Sequence, residues 1–368
     1  MLLHLKKLDW VLATSAISLV SFGLISLYAS GGAGLTSGEA SGEAGFLFKK
    51  QVLWLVMGFF LMVAISFFDY RILKNYRSPI LALYGFSLIL LLGLLVLGVN
   101  IRGAESWYRI GGITIEPVEF VKISIVLLLA KYFSMRHIEM YRFRHIITSG
   151  LYVLLPASLV FIQSEVGSVL ILTSIWIGVM IIAGIKIKHL AILIIAGAVL
   201  LSVGWNFVFQ DYQKDRLISF INPEADPRGS GYNILQSTIA VGSGGILGKG
   251  IGEGTQTQLG FLPEAQTDFI FASIAEELGL IGVFILLSCF AFFARKMMDI
   301  SHSSSNNFAR LVVAGFSIMV LSQMSINIGM TLGLLPITGI PLPFVSYGGS
   351  SLISLFAMLG ILQSIKIN

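Results

Sequence analysis

Apolar runs of about 20 residues alternate with short polar connections along the whole chain. A transmembrane helix needs about 20 mainly apolar residues to cross a bilayer, so each run predicts one span. The runs lie at roughly 9–30, 47–68, 79–99, 117–135, 146–163, 166–184, 189–209, 269–293, 311–335 and 350–366. The pattern predicts an all-α integral membrane protein with about ten transmembrane helices, forming a single domain over residues 1–368.

The longest polar interval, residues 210–267, separates the seventh and eighth predicted spans. Its middle, 232–241, mixes apolar and polar positions in the pattern of an amphipathic helix lying at a membrane surface. Ten glycines follow or flank this helix between Gly229 and Gly260, and they match neither a P-loop nor a dinucleotide-binding motif. We expect these glycines to bring backbone N–H groups close to a ligand anion, and a mobile loop is the alternative.

The amino-acid composition excludes several classes of protein and of functional site. The chain is 56% hydrophobic and 12% charged, which excludes a water-soluble globular domain. A single cysteine, Cys289, lies in an apolar run and excludes a disulfide framework. The five histidines form no HExxH motif, which argues against a zinc hydrolase. The net charge of +5 reflects membrane topology and does not indicate a nucleic-acid partner.

The charged residues predict the orientation in the membrane. With the N-terminus inside, 15 of the 24 Lys and Arg residues lie in inner segments, as the positive-inside rule requires. All but four of the 19 acids lie outside or toward the outer leaflet. Both termini are therefore predicted to be cytoplasmic. The first 30 residues resemble a signal peptide, but their apolar run is too long, which favours an uncleaved span.

Asp268 lies where the large outer loop enters the eighth span. A carboxylate at a membrane boundary is costly unless it is solvated, paired or functional. One interpretation is an N-cap of the helix. The other is a general base or a ligand of a divalent metal such as Mg²⁺ or Mn²⁺.

Glu119 and Lys122 are spaced i and i+3 near the outer end of the fourth span. Lys122 is expected about 8 Å below the helix start, because the rise is about 1.5 Å per residue. The pair is either a self-neutralising ion pair or a cationic contact for a lipid phosphate, with Glu119 keeping the lysine charged.

Further outer residues are candidates for binding an anionic head group. Arg102 and Arg109 bracket Trp107 and Tyr108, an arrangement suited to pyrophosphate and sugar recognition, and Lys249 adds positive charge. Other candidate contacts are Glu165 in QSEVGS, Gln236 in GYNILQSTIAVGSGGILGKG and Ser346 in PLPFVSYGGSS. An ordinary loop acid is the alternative for Glu165, and helix packing is the alternative for the PLPFVSYGGSS segment.

These motifs occur in one order along nearly the whole chain and resemble the SEDS family of bacterial wall synthesis, which includes RodA and FtsW. The quoted segments are RGAESWYRIGG, EPVEFVK, QSEVGS, GYNILQSTIAVGSGGILGKG, GTQTQL, FLPEAQTDFIFASIAEELG and PFVSYGGSS. The GTQTQLGFLPE run is more similar to the RodA branch than to FtsW.

The resemblance implies a peptidoglycan glycosyltransferase that polymerises lipid II on the outer face of the bacterial cytoplasmic membrane. It implies a class B penicillin-binding protein and the elongation machinery as partners. The family's essential acid falls on Asp268, its Glu–Lys pair on Glu119 and Lys122, and its RGA arginine on Arg102. We therefore expect Asp268 to act as the base or to ligate a divalent metal.

The chain departs from the family at three positions. Glu165 stands where relatives usually have aspartate, which weakens any precise role carried over to it. Asn233 and Gln266 stand where histidine is common. A histidine base is therefore excluded at these positions, which strengthens the assignment of Asp268 as the base.

Two alternative functions remain: a lipid II flippase and a scaffold for the penicillin-binding protein. The external bias of the acids favours an enzyme over a carrier.

Overall fold

The computed structural model describes residues 2–32, 39–101, 104–111, 113–136, 143–207, 209–226 and 229–368. Fifteen α-helices occur in this part of the chain. Ten of them match the ten predicted spans: α2 (Trp10–Gly32), α3 (Glu39–Ser66), α5 (Ser78–Leu97), α6 (Val118–Ser134), α7 (Phe143–Ile162), α8 (Val166–Ile182), α9 (Ile187–Phe207), α13 (Ile270–Ser303), α14 (Asn307–Thr331) and α15 (Gly349–Ile367).

Eight of these ten helices are long and apolar enough to cross a membrane. The other two, α6 and α8, have 17 residues each, and α6 also carries charged side chains. The remaining helices are short or lie in the large loop: α1 (Leu2–Lys7), α4 (Arg71–Asn75), α10 (Asp211–Ile221), α11 (Ser230–Ser243) and α12 (Thr255–Gln258). The predicted fold class is confirmed.

Helix α6 lies at the centre of the bundle. It packs against α5, α7, α8, α14 and α15, and nearly every residue from Val118 to Phe133 is buried. A helix that is buried on all sides carries apolar residues around its whole circumference. Apolar runs of this kind show that a helix is present but do not show which helix is central, because lipid and protein are equally apolar surroundings.

A small antiparallel sheet, absent from the sequence prediction, lies between α5 and α6. Its strands, in spatial order, are β1 (Val99–Ile101), β2 (Ala104–Ile110) and β3 (Ile113–Ile115). Tyr108 pairs with Ile115, and its hydroxyl donates to the carbonyl of Leu90 at 2.8 Å, which anchors the sheet on α5. Two of the strands have only three residues, too few for a period of two to be recognised.

In the large loop, the predicted amphipathic helix at 232–241 is confirmed as α11. The loop also contains α10, α12 and a 3-10 turn at Pro223–Ala225, which were not predicted. Helix α10 begins with a capping box, in which the Gln210 and Gln213 side chains bond reciprocally to the backbone. A capping box is usually recognised in a sequence by Ser or Thr at the N-cap position. Because Gln210 holds that position here, the sequence did not clearly indicate the start of α10.

Helix α13 is broken at Gly279, where the backbone has φ 63° and ψ −165°. A break in a membrane helix is tolerated only where the freed backbone groups find other partners. The loop after α11 supplies them through four hydrogen bonds of 2.9–3.2 Å: Lys249 N to Glu276 O, Gly250 N to Glu277 O, Leu280 N to Gly245 O, and Ile281 N to Ile246 O.

The glycines of this loop allow the close approach. A Cβ on Gly244 would overlap the carbonyl oxygen of Ala275, and one on Gly248 would overlap that of Glu277. The expectation that these amides approach a ligand anion is wrong for Lys249 and Gly250, since their N–H groups donate to α13. The glycines complete a broken helix.

We predict that Gly244→Ala destabilises the protein, by roughly 1–3 kcal/mol, because the new methyl group overpacks against α13. The matched control is Gly242→Ala, two residues earlier, where a Cβ meets open space within the described part of the chain. The measurement is the thermal unfolding midpoint of both variants in detergent. Equal midpoints would contradict this account of the loop.

Candidate active site

Asp268 lies in an irregular turn, residues 263–269, directly before α13. The helix begins at Ile270, and its N-cap position is held by Phe269, whose side chain has no hydrogen-bond acceptor. The turn is closed by the carbonyl of Glu264, which accepts from the N–H groups of Thr267 and Phe269 at 3.1 and 3.2 Å. Asp268 therefore does not occupy the N-cap position that one interpretation gave it.

Four consecutive carbonyl groups of this turn, from Ala265 to Asp268, each accept a hydrogen bond from a different donor. The donors are Ser273 Oγ to Ala265 O at 3.2 Å, Tyr347 N to Gln266 O at 3.0 Å, Ser346 Oγ to Thr267 O at 2.6 Å, and Asn327 Nδ2 to Asp268 O at 2.8 Å. They come from α13, α14 and the segment before α15. The position of Asp268 is thus set by three parts of the bundle.

The predicted Glu119–Lys122 pair is buried in the bundle. Lys122 Nζ lies 2.6 Å from Glu119 Oε1, and the side chains are 3% and 2% exposed. The second carboxylate oxygen of Glu119 accepts from Ser354 Oγ on α15 at 3.0 Å. A buried charge pair is tolerated when its remaining hydrogen-bonding capacity is also used, and here it fastens α6 to α15.

Glu116, which the sequence analysis did not select, joins the predicted charged residues into one cluster. Glu119, Lys122, Glu165 and Asp268 all lie within electrostatic range of its carboxyl group. Its N–H donates to Ser350 Oγ at 3.1 Å, which ties it to the start of α15. Glu116 stands only three residues before Glu119, so the sequence already placed a further carboxyl group close to the predicted Glu119–Lys122 pair. We call these five residues the charged cluster.

Burial is the main cause that raises the pKa of Glu116 well above its usual value, and the neighbouring carboxylates of Glu165, Glu119 and Asp268 act in the same direction. Lys122 opposes them. Burial also raises the pKa of Glu165, and Lys122 again opposes the shift. Glu116 and Glu165 are thus the two carboxyl groups of the cluster whose surroundings favour retention of a proton.

The other predicted binding residues lie at different places. Ser346 contacts the Asp268 turn, as described above, and Arg109 is exposed on β2. Gln236 is half-buried on α11. Lys249 Nζ bonds to Glu276 Oε1 and Thr255 Oγ1, each at 2.8 Å, beside the break in α13. Arg102 lies outside the described residues. The binding roles of all five stay predictions.

The divalent metal expected at Asp268 stays a prediction. Among the described residues, no group of three or more His, Cys, Asp or Glu side chains is arranged to hold a metal ion. Asp268 provides one carboxylate, whereas Mg²⁺ is usually held by one or two carboxylates together with substrate phosphates and water. We therefore derive no step through a metal.

Comparison with known proteins identifies the family. A family model described as "Cell cycle protein" (FTSW_RODA_SPOVE) matches residues 9–368. The chain belongs to this family. It is 34% identical over 327 residues to "Peptidoglycan glycosyltransferase MrdB" of Escherichia coli (strain K12), covering 89% of this chain and 87% of the relative. It is 33% identical over 362 residues to "Stage V sporulation protein E" of Bacillus subtilis (strain 168), covering 97% and 96%.

Solved structures agree. One similar chain belongs to a solved structure described as "Structural coordination of polymerization and crosslinking by a peptidoglycan synthase complex". Its superposition on this protein has a TM-score of 0.81 at 30% identity and covers 98% of this chain and 97% of that chain. The crystal structure of the Thermus thermophilus rod shape determining protein RodA has a TM-score of 0.70 at 26% identity, covering 98% and 96%. The predicted family and the predicted enzyme class, a glycosyltransferase, are confirmed.

We predict that Lys122→Met lowers the thermal unfolding midpoint in detergent, because it leaves the Glu119 carboxylate buried without its cation. Removal of one partner from a buried ion pair typically costs about 3–5 kcal/mol. The double variant Glu119→Leu with Lys122→Met leaves no unpaired charge and is expected to recover most of the stability. A Lys122→Met protein as stable as wild type would contradict the pairing.

We predict that Glu116→Gln stabilises the protein at neutral pH. Because the folded pKa of Glu116 is raised, the folded state binds more protons than the unfolded state, and wild-type stability falls as pH rises from the ordinary glutamate pKa through the folded pKa. Glutamine cannot ionise, so the gain should vanish in acid. Unfolding midpoints across pH test this, with the exposed Glu224→Gln as the control. A gain of equal size in acid would contradict the explanation.

Proposed function

We propose that this protein polymerises lipid II, joining its disaccharide units by β-1,4 bonds and releasing undecaprenyl pyrophosphate. The observation that carries the proposal is the charged cluster, in which a firmly held aspartate, Asp268, and the buried Glu119–Lys122 pair both act electrostatically on Glu116. Family membership supports the reaction class, since a relative of 34% identity is named as a peptidoglycan glycosyltransferase. The flippase alternative gains no support from an aspartate whose turn is held by several helices.

In the proposed reaction, the 4-hydroxyl oxygen of an acceptor sugar attacks the anomeric carbon of the donor. The bond from that carbon to the pyrophosphate oxygen breaks, and the carbon inverts. Asp268 accepts the hydroxyl proton, and a positioned general base contributes roughly 10²–10⁴-fold to such a step. The pyrophosphate leaves with its electron pair, so no covalent intermediate with the protein forms.

Charge neutralisation of the leaving pyrophosphate is assigned to cations around the cluster. Lys122 is buried, pairs with Glu119, and offsets the carboxylates of Glu116 and Glu165 electrostatically. Arg109, which is exposed, and Arg102, which lies outside the described residues, are the proposed direct contacts for the phosphates. A divalent cation held jointly by Asp268 and the substrate stays a prediction, tested by chelation in the assay below.

The membrane setting is proposed from the charge pattern. The protein crosses the membrane many times. We propose that it lies in the bacterial cytoplasmic membrane with both termini inside and the charged cluster on the outer face, where lipid II is polymerised. A class B penicillin-binding protein is the proposed partner, consistent with the polymerisation and crosslinking named for the synthase complex. Cell-wall elongation is the proposed setting, on the RodA-like GTQTQL segment.

We predict that Asp268→Asn abolishes glycan formation from purified lipid II by the protein in complex with its partner, with the transpeptidase blocked by a β-lactam. The control is Asp299→Asn, an exposed acid on the same helix that pairs with Lys296 and is expected to retain full activity. Both proteins should fold and bind the partner. An EDTA arm tests the cation.

Polymer formation by Asp268→Asn at the wild-type rate would contradict the assigned base. If the wild-type complex makes no polymer, the proposed reaction fails. A flipping assay with labelled lipid II in vesicles then tests the transporter.

A further inference from the structure

Of the four donors to the Asp268 turn, the one that bonds to the backbone of Asp268 itself is a buried amide, Asn327. It lies on α14 and is 0% exposed. Its Nδ2 group donates two hydrogen bonds of 2.8 Å, one to Asp268 O and one to Ile340 O. Its Oδ1 accepts from no described residue, so the side chain acts through its donors.

The two carbonyls that it joins belong to segments without regular structure. Asp268 precedes α13, and Ile340 lies in the connection between α14 and α15. Buried carbonyl groups outside helices and sheets need side-chain or water partners, and an unpaired one typically costs about 1–3 kcal/mol. One primary amide with two protons satisfies both carbonyls and fixes the distance between the segments.

The Ile340 segment is a wall of the charged cluster. A Cβ on Gly339, whose φ is +69°, would lie 3.4 Å from Asp268 Oδ2, so this backbone passes directly beside the carboxylate. On its other side the segment packs on α8, where a Cβ on Gly167 would meet Thr338 O at 2.6 Å. Gly167 is two residues from Glu165. Asn327 therefore links Asp268 to a segment that packs on α8 at Gly167.

We propose that Asn327 is the positioning residue for Asp268: its amide holds the backbone of Asp268 against the 338–340 segment and so sets where the carboxylate points. The inference rests on the proposed function of Asp268. A base must be held in hydrogen-bonding reach of the attacking hydroxyl, and a displacement of about 1 Å can lower the rate about 100-fold. Substrate binding, which involves other residues, is not expected to change.

The experiment uses Asn327→Leu, which is close to asparagine in size and lacks both donors. Its kcat for lipid II polymerisation, measured in the partner complex, is expected to fall about 10- to 100-fold at an unchanged KM. Hydrogen–deuterium exchange is expected to rise in residues 263–269 and 338–342 and to stay unchanged elsewhere. This second readout does not depend on activity.

The matched control is Gln323→Leu, one turn earlier on the same helix. Gln323 is a buried amide, 2% exposed, and bonds to neither Asp268 nor Ile340 in the described part of the structure. It is expected to keep the wild-type kcat and the wild-type exchange in both segments. A kcat equally lowered by both variants would show a general packing effect and overturn the proposal.

Two further outcomes separate the inference from the function beneath it. Wild-type kcat and exchange in Asn327→Leu would overturn the positioning role and leave the glycosyltransferase proposal intact. A wild-type complex without polymerase activity would overturn the proposed function, and the exchange data would then decide alone whether Asn327 holds the Asp268 turn. Increased exchange throughout the chain would also overturn a local role.

Discussion

The constraint on which this structure depends is that polar groups inside a membrane bundle must find their partners within the protein. Two irregular segments in the bundle show how this is done. The break at Gly279 is completed by backbone groups of the glycine-rich loop, and the Asp268 turn has four consecutive carbonyls bonded to other elements. Where the chain leaves helical geometry, it becomes tied to distant parts of the sequence.

The charged cluster follows the same rule. Glu119 uses both carboxylate oxygens, one on Lys122 and the other on Ser354, so the charge that α6 carries into the bundle also fastens α15. Helix α6 can hold this pair because it is surrounded by five other helices and does not face lipid. The fold thus provides a place where Glu116 is subject to the electrostatic effect of several other carboxyl groups, a condition that raises its pKa.

The glycine-rich loop and Lys249 show how a plausible local interpretation can miss its tertiary partner. Glycines and a lysine in an outer loop suggest an anion site. In the structure the N–H groups of Lys249 and Gly250 donate to α13, and the Lys249 ammonium group pairs with the buried carboxylate of Glu276. The sequence contained Glu276 two turns into an apolar span. Nothing local indicated that the loop would fold back onto it.

The sequence by itself determined the ten spans, the amphipathic α11, the family, and the choice of Asp268, Glu119 and Lys122 as candidate site residues, because span length, helical spacing and intramembrane charge are local properties. Only the tertiary structure decided that α6 is central, that Glu116 joins the cluster, and that Asn327 bonds to the Asp268 turn. These depend on which helices become neighbours. Apolar helix surfaces differ little in composition, so neighbour choice is settled by packing and by the few polar contacts that must be satisfied.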